Sequence, residues 1–267
     1  MPDMGLVQPA LAERHAISLR RSRRRRVVSV TSWSLCGAAL AALCVAMVWI
    51  IGMVFVRGVT ALQPSILTEV TQGTGGGLLN AIEGTGVLAA GTLILTVPFG
   101  VAAGIYASEY RHTRWATIIR FLSDVLAGVP SIVLGYFGYV TLVEGLGWHF
   151  SAAAASITLA IICLPYVART TELSLEQVPL EMREAAYAMG AGAATVTGRI
   201  TLRVAMPGIL TGLLLALAIS VGETAPLLYT AGWSNYMWNG QLTRSPIGYL
   251  TYAIWAFINE PFASAHA

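Results

Sequence analysis

From residue 27 to residue 56 the chain carries thirty consecutive residues without a charge, and this run constrains the fold more than any other feature. About 20 apolar residues suffice to cross the hydrocarbon core of a bilayer. The run also exceeds the apolar core of a cleaved signal peptide, so it reads as a retained first span. Four more spans are predicted, at 84–106, 118–143, 152–167 and 208–221. Composition agrees: 56% of residues are hydrophobic and 11% are charged, where a soluble domain has about a quarter charged, and mean hydropathy is +0.68. The expected fold class is all-α, a polytopic transmembrane helix bundle counted as one domain despite its length.

The basic residues set both orientation and chemistry. All sixteen are arginine, and lysine is absent. That removes a Walker A phosphate loop, a Schiff-base lysine and a lysine general base together, so any ATP chemistry must come from another polypeptide and no catalytic residue is assigned. Residues 20–26 read RRSRRRR, which raises a nucleic-acid arm or a twin-arginine export signal. Arginines directly before a span instead hold that end in the cytoplasm, and no nucleic-acid partner is expected. With five spans and this start, all arginines except Arg57 and Arg244 fall on the cytoplasmic side. Cys36, Cys44 and Cys163 lie in apolar runs as small hydrophobes. His15, His112, His149 and His266 lack metal-ligand spacing, so no metal is assigned.

Along the chain, residues 57–81 read as a flexible external loop, with Gly73, Gly75, Gly76 and Gly77 close together and no strand before them to make a phosphate cradle. Pro98 is expected to kink the second span, which has Glu83 at its outer edge. The third carries Asp124 near its inner end and Pro130 in its middle. The carbonyls freed there need protein or a water-filled cavity, so this span is expected to face the bundle interior. The fourth is short, contains Pro165 and ends before Arg169. Trp233, Tyr236 and Trp238 suit an external interfacial loop, and 247–258 reads as a short amphipathic or re-entrant helix.

The remaining charge is concentrated in a stretch of about forty residues from Arg169 to Thr211, RTTELSLEQVPLEMREAAYAMGAGAATVTGRITLRVAMPGILT. Pro179 can start a helix, Glu181 and Glu184 suit the positive end of its dipole, and Gly190 can end it. Ala185, Ala186 and Ala188 would then present a small-side-chain surface. So short a helix is poorly stable alone in water, and a partner surface is expected to cover it.

Glu184-Ala185-Ala186 followed by Gly190, and then by Ile200, Leu202 and Pro207, resembles the EAA loop of ABC-transporter membrane permeases. The general pattern has a proline directly after the leucine, where this chain has Arg203. Further blocks resemble the PstA permeases of phosphate ABC importers: GTLILTVPFGVAAGIYASEY at 91–110, DVLAGVPSIVLGYFGYV at 124–140, LPYVARTTE at 164–172 and GETAPLLYT at 222–230. The last block separates these permeases from their usual PstC partners.

The resemblance implies a bundle of the ABC type I importer permease kind in a bacterial inner membrane, N-terminus cytoplasmic. Residues 1–26 would be a cytoplasmic basic segment, 27–263 the permease domain with its coupling loop at about 169–207, and 264–267 the end of the chain. The loop, through Glu184, Ala185, Ala186 and Gly190, would dock a PstB-like ATPase, which alone binds ATP and magnesium. A PstC-like second permease would complete the path, and a PstS-like binding protein would deliver inorganic phosphate. The family normally has six spans, and the sixth would follow Pro261-Phe262, so a truncated C-terminus is expected.

Many family members also carry an arginine three residues before the glycine of GETAP, where this chain has Ile219, so a guiding charge must come from elsewhere. Arg169, Glu223 and Thr224 are the candidates for the substrate path. An ionised group at membrane depth marks a functional position by default, Arg169 offers planar donors to an oxyanion, and Pro226 exposes backbone groups nearby. Anchored helix ends or structural ion pairs are the competing reading for Arg169 and Glu223. For the whole chain the alternatives are a permease for another oxyanion such as sulfate or molybdate, a secondary transporter, which would need inverted repeats that are not visible, and a membrane anchor without a path.

Overall fold

Residues 4–72 and 75–259 are described in this computed structural model, and two compact units are distinguished, Met1–Leu62 and Gln63–Ala267. The first is a single helix, α1 (Met4–Ala61), whose stretch Arg25–Thr60 spans 36 residues, about 54 Å at 1.5 Å per residue. No proline falls within Arg25–Thr60, and hydroxyls of this stretch bond to its own carbonyls, Thr31 to Val27 at 2.8 Å and Ser34 to Val30 at 2.5 Å. Polar groups facing lipid need such internal partners. The helix passes the expected boundary at 26/27 without a break.

In the second unit the described residues on either side of 73–74 form a hairpin where a flexible loop was expected; Gly73 lies outside the described residues. α2 (Pro64–Thr68) leads into a two-stranded antiparallel hairpin, β1 (Thr71–Gln72) and β2 (Gly75–Gly76). Asn80 organises it. Its Oδ1 accepts from the amide and the hydroxyl of Thr71, both at 3.0 Å, and its Nδ2 donates to the Ser234 carbonyl at 2.8 Å. Such local ties are what an isolated glycine run lacks and a folded one acquires.

α3 (Leu79–Glu109) runs unbroken past Pro98. The predicted third span is instead a bent pair, α4 (Arg114–Gly128) and α5 (Ser131–Gly138), the latter continuing as a π-helical turn over Tyr139–Gly145, with 100° between the two arms. Pro130 disfavours the helical conformation for the residue before it, and Val129 is extended, at φ −78° and ψ 130°.

α6 (Ala152–Glu176) is longer than the predicted fourth span, passing Pro165 and Arg169 without a break. α7 (Leu180–Ala188) follows. Then α8 (Ala193–Thr195), a π-helical turn (Val196–Thr201) and α9 (Leu202–Gly222) form one apolar helix of 30 residues. Residues 169–176 and 193–207, placed in a loop by charge, are thus helical. α10 (Ala225–Thr230) and the short apolar α11 (Leu250–Asn259) complete the order. Among the described residues four helices are long and apolar enough to cross a membrane, or five with the bent pair counted as one, the number predicted. Residues 260–267, including the expected position of a sixth span and the segment 264–267, lie outside the described residues.

α6 is the axis of this unit. Of its most apolar window 67% is buried, against 28% for α3 and for Ala193–Gly222, and it packs on both. Its small residues allow close approach, the usual basis of helix packing in lipid. At Gly104 of α3 an added Cβ would stand 2.6 Å from both the Ala168 carbonyl oxygen and Thr171 Cβ. Leu88, Leu159, Leu227 and Ile247 fill the core at the hairpin end, Cys163, Val167 and Ala216 the middle, and Leu175, Val178, Ala205 and Ile209 the α7 end.

Candidate functional site

α7 begins after Pro179, whose φ of −54° and ψ of 136° set the entry of the chain. Its end is a Schellman turn, in which the Gly190 amide donates to Tyr187 O at 2.9 Å and the Ala191 amide to Ala186 O at 3.1 Å. Gly190 has φ +83° with open space where a side chain would be, so backbone strain alone selects glycine. Gly190→Ala is expected to cost this turn about 1–2 kcal/mol, seen as faster hydrogen exchange at the Ala191 amide. Unchanged exchange would show that the turn is held by other contacts.

The faces of α7 differ from the expectation of a plain alanine surface. Arg183 and Ala186, three residues apart on one side, turn inward, and Ala186 is buried. Leu180, Glu184 and Tyr187 form the exposed face, with Ala185, Ala188 and Gly190 also exposed and Met189 87% exposed at the tip. Of the four predicted coupling residues, Glu184, Ala185 and Gly190 are therefore presented outward. Ala186 is not on that outward surface: it is buried, on the side of α7 shared with Arg183, and α7 as a whole packs against Val196–Thr201.

Two groups of ion pairs stand at this end of the bundle. Glu172 of α6, 2% exposed, accepts from Arg120 Nε of α4 through Oε1 and from Arg169 Nη1 at 2.8 Å through Oε2. Arg120 also donates to the carbonyls of Ala107, at 2.8 Å, and Arg111, at 3.3 Å. One guanidinium thus fastens α4 and α6 to the end of α3. In the second group Arg183 Nη1 donates to Glu109 Oε1 and its Nη2 to Leu175 O, both at 2.8 Å. A polar groove of about 720 Å³ opens beside this pair, lined among others by Ser108, Gln177, Leu180 and Glu181.

The predicted path residues are not brought together. Arg169 lies within α6 and pairs with Glu172, with half of its side chain still exposed. Glu223 and Thr224 form the break between α9 and α10. Glu223 is extended and half-buried, its carbonyl accepts from Thr251 Oγ1 at 3.0 Å, and among the described residues no cation pairs with its carboxylate. Ile219, one turn earlier, packs against Cys163 and Val167. Arg169 is six residues, about 9 Å of helix rise, beyond Cys163.

Glu172, Arg120, Arg183 and Glu109 were absent from the predicted site. The i,i+3 spacing of Arg169 and Glu172 in one helix was a usable signal. Nothing local marks Arg120 or Glu109, whose partners lie 52 and 74 residues away.

Comparison with known proteins follows the same segments. The family of binding-protein-dependent transport system inner membrane components matches residues 96–259. Over 242 residues, 91% of this chain and 80% of the relative, the sequence is 48% identical to phosphate transport system permease protein PstA 2 of Mycobacterium bovis. It is 43% identical over 221 residues to PstA of Yersinia pestis, covering 81% of this chain and 74% of that one. Among solved structures, a chain of the MetNI methionine ABC transporter in an inward facing conformation has a TM-score of 0.48 and 18% identity over 60% of this chain and 73% of that one.

Proposed function

The chain belongs to the family of binding-protein-dependent transport system inner membrane components, and from that premise we propose that it is the PstA-type permease subunit of an ATP-driven importer for inorganic phosphate. The observation that carries the coupling role is α7 itself: a nine-residue helix at the end of the bundle, exposed along Leu180, Glu184 and Tyr187 and held from behind by Arg183 and Ala186. So short a helix gains stability by docking. Phosphate as the cargo is supported by the relatives, which are phosphate permeases along most of this chain.

In this reading a PstB-like ATPase seats on the exposed face of α7 and holds the ATP and magnesium, this chain hydrolysing nothing itself. A PstC-like permease supplies the other half of the path and a PstS-like protein delivers the anion. Closure of the ATPase pulls on α7, and the bundle alternates between openings to either side. A cytoplasmic N-terminus and a cytoplasmic α7, in a bacterial cell, are supported by the positive-inside rule applied to the arginines at 20–26 and at the α7 end. Glu223 and Thr224 line the path where α9 breaks, Glu223 accepting a hydrogen bond from a protonated phosphate oxygen. Arg169 offers its exposed N–H groups at the inner mouth.

Radiolabelled phosphate uptake in cells lacking their own PstA permease tests this reading. Uptake is expected with the unaltered chain and its cognate ATPase, and uptake of labelled sulfate or molybdate without uptake of phosphate would reassign the cargo. Tyr187→Asp is expected to insert normally yet lose copurification with the ATPase, since a carboxylate would sit on the docking face without a partner. Retained copurification would remove α7 from that role. Glu223→Gln is expected to reduce uptake with assembly intact, and normal uptake by that variant would discard Glu223 as a path residue.

A further inference from the structure

Two links tie α7 to the bundle among the described residues besides its flanking loops and weaker contacts. α7 packs on the π-helical turn Val196–Thr201, which leads into α9. The other link is a single side chain. Arg183 reaches across the groove beside α7 and divides its donors between two helices: Nη1 to the carboxylate of Glu109, the last residue of α3, and Nη2 to the carbonyl of Leu175, the penultimate residue of α6, both at 2.8 Å. The side chains of the pair are 18% and 19% exposed, so it is drier than the freely solvated surface pairs that contribute little. The planar guanidinium holds both bonds in one rigid fork, a geometry that an ammonium group does not reproduce. The Leu175 carbonyl is one of the last four of α6, whose partners lie outside the regular helix ladder, and it also accepts from the Val178 amide at 3.3 Å.

We propose that Arg183 is the positioning residue through which α7 moves α3 and α6, so that a pull on the outward face of α7 reaches the bundle through this strut as well as through α9. The proposal rests on the permease reading above and deepens it by naming the mechanical link. The two functions of α7 then fall on opposite faces of one helix: Leu180, Glu184 and Tyr187 take hold of the ATPase, and Arg183 passes the displacement inward. Removing Arg183 leaves the docking face unaltered and cuts the route to α3 and α6, so the effect is on coupling and not on assembly.

The test uses the full complex of this chain with its ATPase, second permease and phosphate-loaded binding protein in proteoliposomes. Phosphate uptake and ATP hydrolysis are read on the same preparation. With Arg183→Gln the complex is expected to assemble and hydrolyse ATP, while phosphate moved per ATP falls about tenfold, within the usual range of a coupling free energy. Arg183→Lys, which keeps the charge and loses the fork, is expected to fall between that variant and the unaltered chain. Glu109→Gln, which keeps the bond to Leu175, is expected to lose less than Arg183→Gln and covers the case in which that variant fails to fold. Exchanging the charges, Arg183→Glu with Glu109→Arg, is expected to recover part of the loss. An unchanged ratio in Arg183→Gln or, if that variant does not fold, in Glu109→Gln overturns the strut, as does loss of the ATPase from the complex. Absence of phosphate uptake by the unaltered complex would overturn the permease reading first and the strut with it.

Discussion

Arg120→Met is expected to destabilise the bundle by about 3 kcal/mol, the low end of the cost of leaving a buried charge without its partner. Glu172 is almost wholly buried, and Arg120 is the less exposed of its two partners, at 28% of its side chain against 51% for Arg169. The low end applies because Arg169 still holds Oε2 after the substitution. Arg120 also satisfies the Ala107 and Arg111 carbonyls, so its loss frees the end of α3 from α4. Arg169→Met, which removes the more solvated partner, is expected to cost clearly less. The double replacement Arg120→Met with Glu172→Met is expected to return most of the stability, since a buried pair exchanged for apolar side chains of similar volume is often near neutral. Reversible unfolding in mixed micelles gives the three values. Equal costs for the two single arginine variants, or no recovery in the double one, would show that Glu172 is not the centre of the network.

The second large effect is expected at Gly104. A Cβ there would stand 2.6 Å from the Ala168 carbonyl oxygen and from Thr171 Cβ, neither of them the far end of a flexible side chain. Gly104→Ala therefore forces α3 away from α6 and is expected to cost about 1–3 kcal/mol, the range for overpacking a close-packed site. Gly104→Val adds two methyl groups against the helix on which the unit is assembled, and little folded protein is expected in detergent extracts. Gly86, on the same α3, meets nothing within 4 Å, so Gly86→Ala is expected to be neutral or to stabilise by up to about 1 kcal/mol through helix propensity. The contrast is the measurement: extracted, monodisperse protein for the three variants. Similar yields of the Gly104→Val and Gly86→Ala proteins would refute the close packing of α3 on α6.

Particular residues show why some features were legible and others were not. The apolar run from 27 to 56, the start of α7 after Pro179 and its end at Gly190 were readable because each depends on a few neighbouring residues: on hydropathy over one span, on the fixed φ of proline, on the φ of +83° that favours glycine. Charge misplaced the ends of α6 and α9. Arg169, Glu172 and Glu176 look like loop residues to a hydropathy reading, yet Glu172 is carried into the interior because Arg120 arrives from another helix to meet it. Pro130 was noticed, but whether a proline kinks a span or divides it at 100° depends on what each arm packs against, as Pro98 and Pro165, both inside continuous helices, make plain. The segment near residue 75 looked flexible because the ties that hold Thr71 beside it, to Asn80 and through Asn80 to the Ser234 carbonyl, are supplied by the fold.

Lipid tests each segment of about 20 residues largely alone, so composition was enough to specify an all-α membrane bundle, and a short local pattern was enough to specify α7. Which face of α7 turns outward, why Glu172 is held by two arginines, and how Arg183 comes to grip Glu109 across 74 residues were settled only when α3, α4, α6 and α9 packed together. The reason is physical: a hydrogen bond between distant residues has no local precursor, and its partners meet only after small residues such as Gly104 have let the helices close.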